Sequence, residues 1–410
     1  MIKPELLSPA GDRERLEAAV LYGADAVYLG STSLGMRAAP QNFDAQQLQE
    51  AVALCHSKGK KVYLTCNVLA HNSDLIALPG IIESAVEAGV DAMIISDMGV
   101  LSLVKKYAPD MEIHISTQTG LVNHAACQAM YDMGAKRVVL ARELSLDEIA
   151  EIRAKTPSDL EIECFVHGAM CVSFSGRCLL SNYFLGRDSN RGECAQPCRW
   201  KYAIMEEKRP GFYLPIGEDH SGTYIMNARD MCMIEHIPEM VKAGISSFKI
   251  EGRAKSSYYT AVITNAYRAA IDGYLRNPTD DYKPEQWMID ETRKVSHREY
   301  CTGFFYSDPR DDAQIFYDGV YKRNWNVMAE VNSCENGRVY VTQRNRFFEG
   351  DELEIMVAGA EPLTVKVEGL LNEKGEPIDV APHPMMKCSF ICDADIHPGA
   401  LIRKPADDEQ

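Results

Sequence analysis

The 410-residue chain contains no run approaching the roughly 20 apolar residues of a membrane span, and its opening MIKPELLSPAGD carries no apolar segment of the signal-peptide kind. A cytoplasmic location without membrane contact is therefore expected, with thiols reduced rather than paired. Basic residues are the minority charge, 43 against 59 acidic, for a net charge of −16. Such a surface does not bind nucleic acid indiscriminately, so any nucleic-acid contact has to be local. Hydrolase signatures are missing too: there is no HExxH, no G-x-S-x-G, and no serine or cysteine set off with a partner base.

What is present in quantity is cysteine in one place. Of 13 cysteines, Cys171, Cys178, Cys194 and Cys198 fall within GAMCVSFSGRCLLSNYFLGRDSNRGECAQPCRWKY, spaced C-x6-C-x15-C-x3-C. The others are scattered; Cys55, Cys66, Cys127 and Cys164 lie in apolar runs where a thiol acts as a small hydrophobe. The cluster sits among Gly, Ser, Asn and Arg with little helical or strand periodicity, and such a segment needs something to hold it. Structural zinc favours pairs two to four residues apart, which only Cys194 and Cys198 satisfy, whereas an iron–sulfur cluster tolerates irregular spacing. Spacing alone leaves zinc and iron–sulfur open.

Elsewhere short apolar runs alternate with amphipathic helices, the pattern of parallel βα units. The runs are 5–8, 26–30, 62–67, 92–97, 113–118, 137–142, 162–168 and 248–252; helices are expected over 12–22, 44–57, 79–88, 99–107, 123–133, 145–155, 234–243 and 257–276. Ser145 with Glu148 forms a capping-box pattern, and Gly89, Gly134 and Gly244 stand where helices end. Eight runs predict a TIM-like (β/α)8 barrel over 1–280. The seventh and eighth are separated by about 80 residues, far beyond an ordinary βα loop. The cysteines open this insertion, at about 169–232, and so lie on the strand C-terminal face where barrel active sites are built.

That geometry ranks the polar residues at strand ends: Ser8, Asn67, Asp97, Gln118, Arg142, Glu143, His167, Lys249, Glu251 and Arg253. Ser8 and Asp97 are expected to be structural, and other members to cap helices or loops. Arg142 and Arg253 offer forked donors for a carboxylate or phosphate. A connecting segment over 281–324 leads to alternating short runs over 325–410, read as a small antiparallel β-barrel. Lys322, Arg323, Trp325, Arg338, Arg344 and Arg346 make a basic patch interleaved with an aromatic there, an RNA-contact candidate.

ELLSPAGD, YGADAVYLG, STQTG, LARELS, ECFVHGAMCVSFSGRCLLSNY, CRWKY and SFKIEGRAKSSYYTAVITNAYRAAID together resemble the U32 peptidase family, also called collagenase-like proteases, over essentially the whole chain. The resemblance is to its tRNA-modifying branch, which implies oxygen-independent formation of 5-hydroxyuridine at the wobble position, with prephenate as hydroxyl donor. It further implies a [4Fe-4S] cluster on Cys171, Cys178, Cys194 and Cys198, with Cys232 the competing ligand and zinc the alternative metal. Arg37, Arg142 and Arg253 would bind prephenate, alongside Asn67, Gln118 and Lys249 as substrate-binding candidates. His167 and Glu251 are the acid/base candidates, and Arg142 joins them as a catalytic candidate. The tRNA anticodon loop would be held near Arg199, Lys201 and Lys255, and an electron donor protein is a further expected partner. The alternatives are a U32-type peptidase, or an accessory RNA-binding protein with a structural cluster.

Overall fold

The computed structural model describes residues 3–31, 42–170, 180–187, 193–197, 217–219, 222–224, 227–306, 314–315 and 322–406. Its first seven strands are β1 (Glu5–Pro9), β2 (Ala26–Gly30), β3 (Lys61–Cys66), β4 (Ala92–Ile95), β5 (Glu112–Ile115), β6 (Arg137–Val139) and β7 (Glu161–Ala169). They pair in sequence order and in parallel. Between them run α1 (Arg13–Leu21), α2 (Ala45–Ser57), α3 (Leu78–Ala88), α4 (Met98–Tyr107), α5 (His124–Asp132) and α6 (Leu146–Ala154).

Local chemistry explains these limits. Asp12, Asp44, Asp97, Asn123 and Ser145 each accept a backbone N–H at a helix start, and both Asp44 with Gln47 and Ser145 with Glu148 complete capping boxes. Gly89 ends α3 at φ +76°, in the left-handed region where a side chain would be strained. The strands are apolar because both faces are covered: all five residues of β2 are buried.

After β7 come α7 (Leu180–Leu185), β8 (Gly217–Asp219), β9 (Gly222–Tyr224), β10 (Asn227–Ala228) and β11 (Asp230–Cys232). β11 runs antiparallel to the end of β7, with Cys232 opposite His167 and Asp230 opposite Ala169. The expected helix over 234–243 begins as a single tight turn and becomes α8 only at Ile237–Lys242. β12 (Ser247–Ile250) then pairs in parallel with both β7 and β1, closing the eight-stranded barrel. The 20-residue α9 (Ser257–Arg276) is buried through most of its length, because it packs against β1, α1 and the helix over 286–293.

The 281–324 segment, read as a connection, contains that helix, α10 (Gln286–Arg293), then β13 (Tyr300–Cys301) beside β11 and β14 (Gln314–Ile315) beside β10. The C-terminal unit comprises β15 (Trp325–Glu335), β16 (Arg338–Gln343), β17 (Phe347–Phe348), β18 (Glu352–Ile355), β19 (Leu363–Lys366), β20 (Leu371–Asn372), β21 (Val380–Ala381), β22 (Lys387–Ile391) and β23 (Leu401–Pro405). Seven of these form one antiparallel sheet in the order β19-β18-β23-β15-β16-β22-β20, with β17 and β21 paired separately. The end strands β19 and β20 do not pair with each other, so the small antiparallel β-barrel expected here takes the form of a half-barrel. Val331, Val339, Val341, Phe347, Phe390 and Ile402 fill its core.

This unit is fixed to the barrel by polar contacts under cover. Arg403, with no exposed surface, bonds Glu291 of α10 and Glu354 of β18, and Lys294 lies 2.8 Å from Glu354. Asn265 on α9 donates to the Val357 carbonyl and accepts from Gly359 N–H, while Tyr22 accepts from Leu401 N–H.

Candidate active site at the barrel mouth

Alternation along the barrel strands points some polar residues inward, and several of these are charged. Glu163, wholly buried on β7, lies 2.7 Å from Lys249 Nζ on β12 and 3.0 Å from Arg137 on β6; Arg137 also bonds Glu5 on β1. Burial alone would raise the Glu163 pKa, but Lys249 and Arg137 outweigh it and hold the carboxyl down to about 2. The Lys249 ammonium sits 4.6 Å from the Tyr28 ring centre and 5.3 Å from that of Phe165, so its remaining surface is aromatic.

Above this floor a pocket of about 70 Å³ opens at the strand C-termini. The structure brings six of the sequence candidates to it: Asn67, Gln118, Arg142, Lys249, Glu251 and Arg253. Arg142 stacks 3.9 Å above Phe165, donates to the Ala169 carbonyl at 2.8 Å and faces Glu251 at 3.4 Å. Arg253, 3 % exposed, donates to Thr65 Oγ1 at 2.8 Å. It crosses β2 where a glycine stands, since a Cβ on Gly30 would overlap its guanidinium. Asn67 donates to Ser116 Oγ. Three cations converging with one carboxylate suit a small polycarboxylate. Sequence ranking missed Tyr28, Thr65, Ser116, Thr117 and Phe165, all of which line the same space. For all but Tyr28 the signal was positional, one or two residues before a ranked residue; Tyr28 sits on β2, whose end had no polar candidate.

Other candidates fall elsewhere. Asp97 caps α4 and Ser8 bonds Thr264 inside the barrel wall, as expected of structural residues. His167, an acid/base candidate, does not line the pocket: its ring is buried among Tyr259, Tyr267 and Tyr300, and neither nitrogen has a hydrogen-bond partner among the described residues. Burial pushes its pKa down to about 3, so the imidazole is neutral at neutral pH. Arg37, Arg199 and Lys201 lie outside the described residues.

Of the four proposed metal ligands, Cys171, Cys178 and Cys198 also lie outside the described residues. Cys194 is partly exposed, and its Sγ accepts the Gln196 backbone N–H at 3.4 Å. Ser181, three positions after Cys178 in the chain, accepts the neighbouring Ala195 N–H. A sulfur receiving a backbone N–H is chemically suited to act as a thiolate ligand. Cys232, the competing ligand, packs against the barrel core beside Tyr267, and burial pushes its thiol up to about 11. Among the described residues no group of three or more His, Cys, Asp or Glu side chains is placed to hold a metal ion. Nor is any described helix long and apolar enough to cross a membrane.

A (β/α)8 barrel with a polar mouth and a docked C-terminal half-barrel is the class these observations define. The chain belongs to peptidase family U32: the model of that family matches residues 11–315, and the model of the U32 C-terminal domain matches 323–403. It is 38 % identical to the "tRNA hydroxylation protein P1" of Bacillus subtilis, covering 98 % of this chain and 95 % of that one. It is 37 % identical to the "tRNA hydroxylation protein P" of Escherichia coli, over 93 % and 92 %. A Methanocaldococcus jannaschii relative described as an "uncharacterized protease" is 42 % identical over 78 % and 77 %.

Proposed function

We propose that this protein is an RNA-modifying hydroxylase whose substrate is tRNA. The observation that carries the reading is similarity along nearly the full length of both chains to proteins named for tRNA hydroxylation, with the barrel and the C-terminal unit both included. The finer reading is 5-hydroxyuridine formation at the wobble position with prephenate as hydroxyl donor. It is supported by the cation-lined mouth, where Arg142, Arg253 and Lys249 offer charge to a carboxylate within a space of carboxylate size.

The chemistry sets what the residues have to do. Aromatisation of a prephenate dianion gives phenylpyruvate, carbon dioxide and hydroxide. Replacing the uracil C5 hydrogen with that hydroxide releases one proton and two electrons. The balance therefore asks for an external oxidant, such as an oxidised redox protein taking the two electrons one at a time, in place of the donor protein expected from the sequence. A [4Fe-4S] cluster, if held by Cys171, Cys178, Cys194 and Cys198, would supply one-electron transfer. Glu251, which lines the mouth pocket and faces Arg142 at 3.4 Å, is our candidate to take the proton. An exposed anticodon-loop base reaches such a site with little unstacking.

The test is nucleoside mass spectrometry on tRNA from a deletion strain, complemented with the wild-type gene or with Cys194→Ser. Loss of 5-hydroxyuridine, restored only by the wild type, is expected; unchanged levels in a strain lacking any redundant route would refute the reading. Anaerobically purified protein should be brown with iron and sulfide near four each, whereas one zinc in colourless protein would remove the cluster.

A further inference from the structure

A second pocket adjoins the mouth and shares only Glu251 with the chemistry above. It encloses about 560 Å³, within the range of small-ligand sites, and is walled by five separate parts of the chain, among them Ala169 at the end of β7 and Ser296. Lys255 and Tyr259 come from the segment after β12, Gln196 from beside Cys194, and Arg323, Trp325 and Asn326 from the start of the C-terminal unit. Glu251 lines this pocket and the mouth alike, so it stands on the boundary between them.

The lining carries two cations, Lys255 and Arg323, against the single carboxylate of Glu251. On a chain of net charge −16 this is a local reversal of sign. Arg323 is exposed and makes no ion pair or hydrogen bond among the described residues, leaving its fork available to an anion. The Trp325 ring is already faced by Lys294 at 4.6 Å and by Arg403 at 5.1 Å, so it is a wall of the pocket held in place from the domain junction.

We propose that this pocket receives a ribonucleotide of the RNA substrate, with Arg323 and Lys255 on its phosphate, while the small mouth pocket takes the carboxylate end of the hydroxyl donor. Glu251 then separates the two reactants at the line where they meet. The division follows from size and charge: about 70 Å³ suits one anionic group, and about 560 Å³ a nucleoside with its phosphate. It rests on the RNA reading above, but its test is separable, because RNA binding is measured without turnover.

The experiment uses the full-length protein and an anticodon stem-loop RNA, with wild type, Arg323→Glu, and Lys366→Glu as a charge-matched control on the far edge strand β19. Arg323→Glu should weaken RNA binding about tenfold and lower the salt slope of log K by roughly 1. Its KM for tRNA should rise while its KM for the donor and its kcat stay unchanged, and Lys366→Glu should match wild type. Equal affinity and slope for Arg323→Glu and wild type would overturn the proposal. So would a raised donor KM with RNA affinity intact, which would put the donor in the larger pocket. Wild-type protein that binds no RNA would instead remove the functional reading itself.

Discussion

The Glu163 carboxylate lies 2.7 Å from the Lys249 ammonium inside the barrel, with no solvent-exposed surface of its own, and so holds a positive charge at the floor of the mouth pocket. Removing one member of a buried pair leaves the other uncompensated, which costs about 3–5 kcal/mol. Glu163→Gln should lose stability on that scale in urea unfolding, and adding Lys249→Met should return part of it. The pH dependence has a definite sign. With the folded pKa near 2 and the ordinary value at 4.5, the stabilisation is complete above pH 4.5 and disappears as pH falls toward 2. Wild-type stability should therefore fall more steeply than that of Glu163→Gln across this window; parallel curves would contradict the assignment.

Gly30 tests the placement of Arg253 without touching it. A Cβ there overlaps the guanidinium and crowds Asn42, and the backbone itself accepts alanine because its φ is not positive. Gly30→Ala should displace Arg253, raising the donor KM several-fold while the melting temperature moves little. An unchanged KM would mean that Arg253 does not meet the donor.

Arg403 links the half-barrel to α10 through Glu291, while Glu354 holds it from within the half-barrel, and both Arg403 and Glu291 are essentially without exposure. Arg403→Met removes the buried partner of Glu291 and leaves Lys294, 3.1 Å away, as its remaining cation, so the cost should fall at about 3 kcal/mol, the low end for breaking a buried pair. Chemical denaturation followed by tryptophan fluorescence and by far-UV circular dichroism would read it. A loss below about 1 kcal/mol would show the junction to rest on its other contacts.

Burial pushes the thiols of Cys55 and Cys66 up to about 12, and those of Cys127, Cys232 and Cys388 up to about 11. All five are neutral at pH 7.5 and should resist iodoacetamide in the native protein, reacting only in denaturant, as peptide mass mapping would record. Rapid native labelling of Cys232 would contradict its burial beside Tyr267.

The barrel was legible because each of its strands is a short apolar run bounded by capping residues and helix-ending glycines, and those signals are local. The mouth was legible for a topological reason: polar residues just past strand ends had to converge once the barrel closed, as Arg142, Glu251 and Arg253 do. Pairing between distant strands was not legible. Glu163 sits within Ile162–Cys164 as a single acid in an apolar run, and its partners Arg137 and Lys249 come from neighbouring strands. β11 escaped because three residues carry no periodicity, and α10 because Pro and Asp before it suggested a linker. His167 shows the limit of ranking by strand position, since the last residues of β7 pair with β11 and carry that ring among tyrosines.

The antiparallel contact between β7 and β11 has a consequence for how this scaffold diversifies. The chain leaves the barrel at Ala169 and is back beside it at Asp230, so the intervening stretch is anchored at a narrow neck. The entropy of closing a loop grows only slowly with its length, so such a neck tolerates exchange of the stretch above it. The cysteine-bearing piece behaves as a cassette: related barrels could acquire, lose or resize it without renegotiating a single barrel strand.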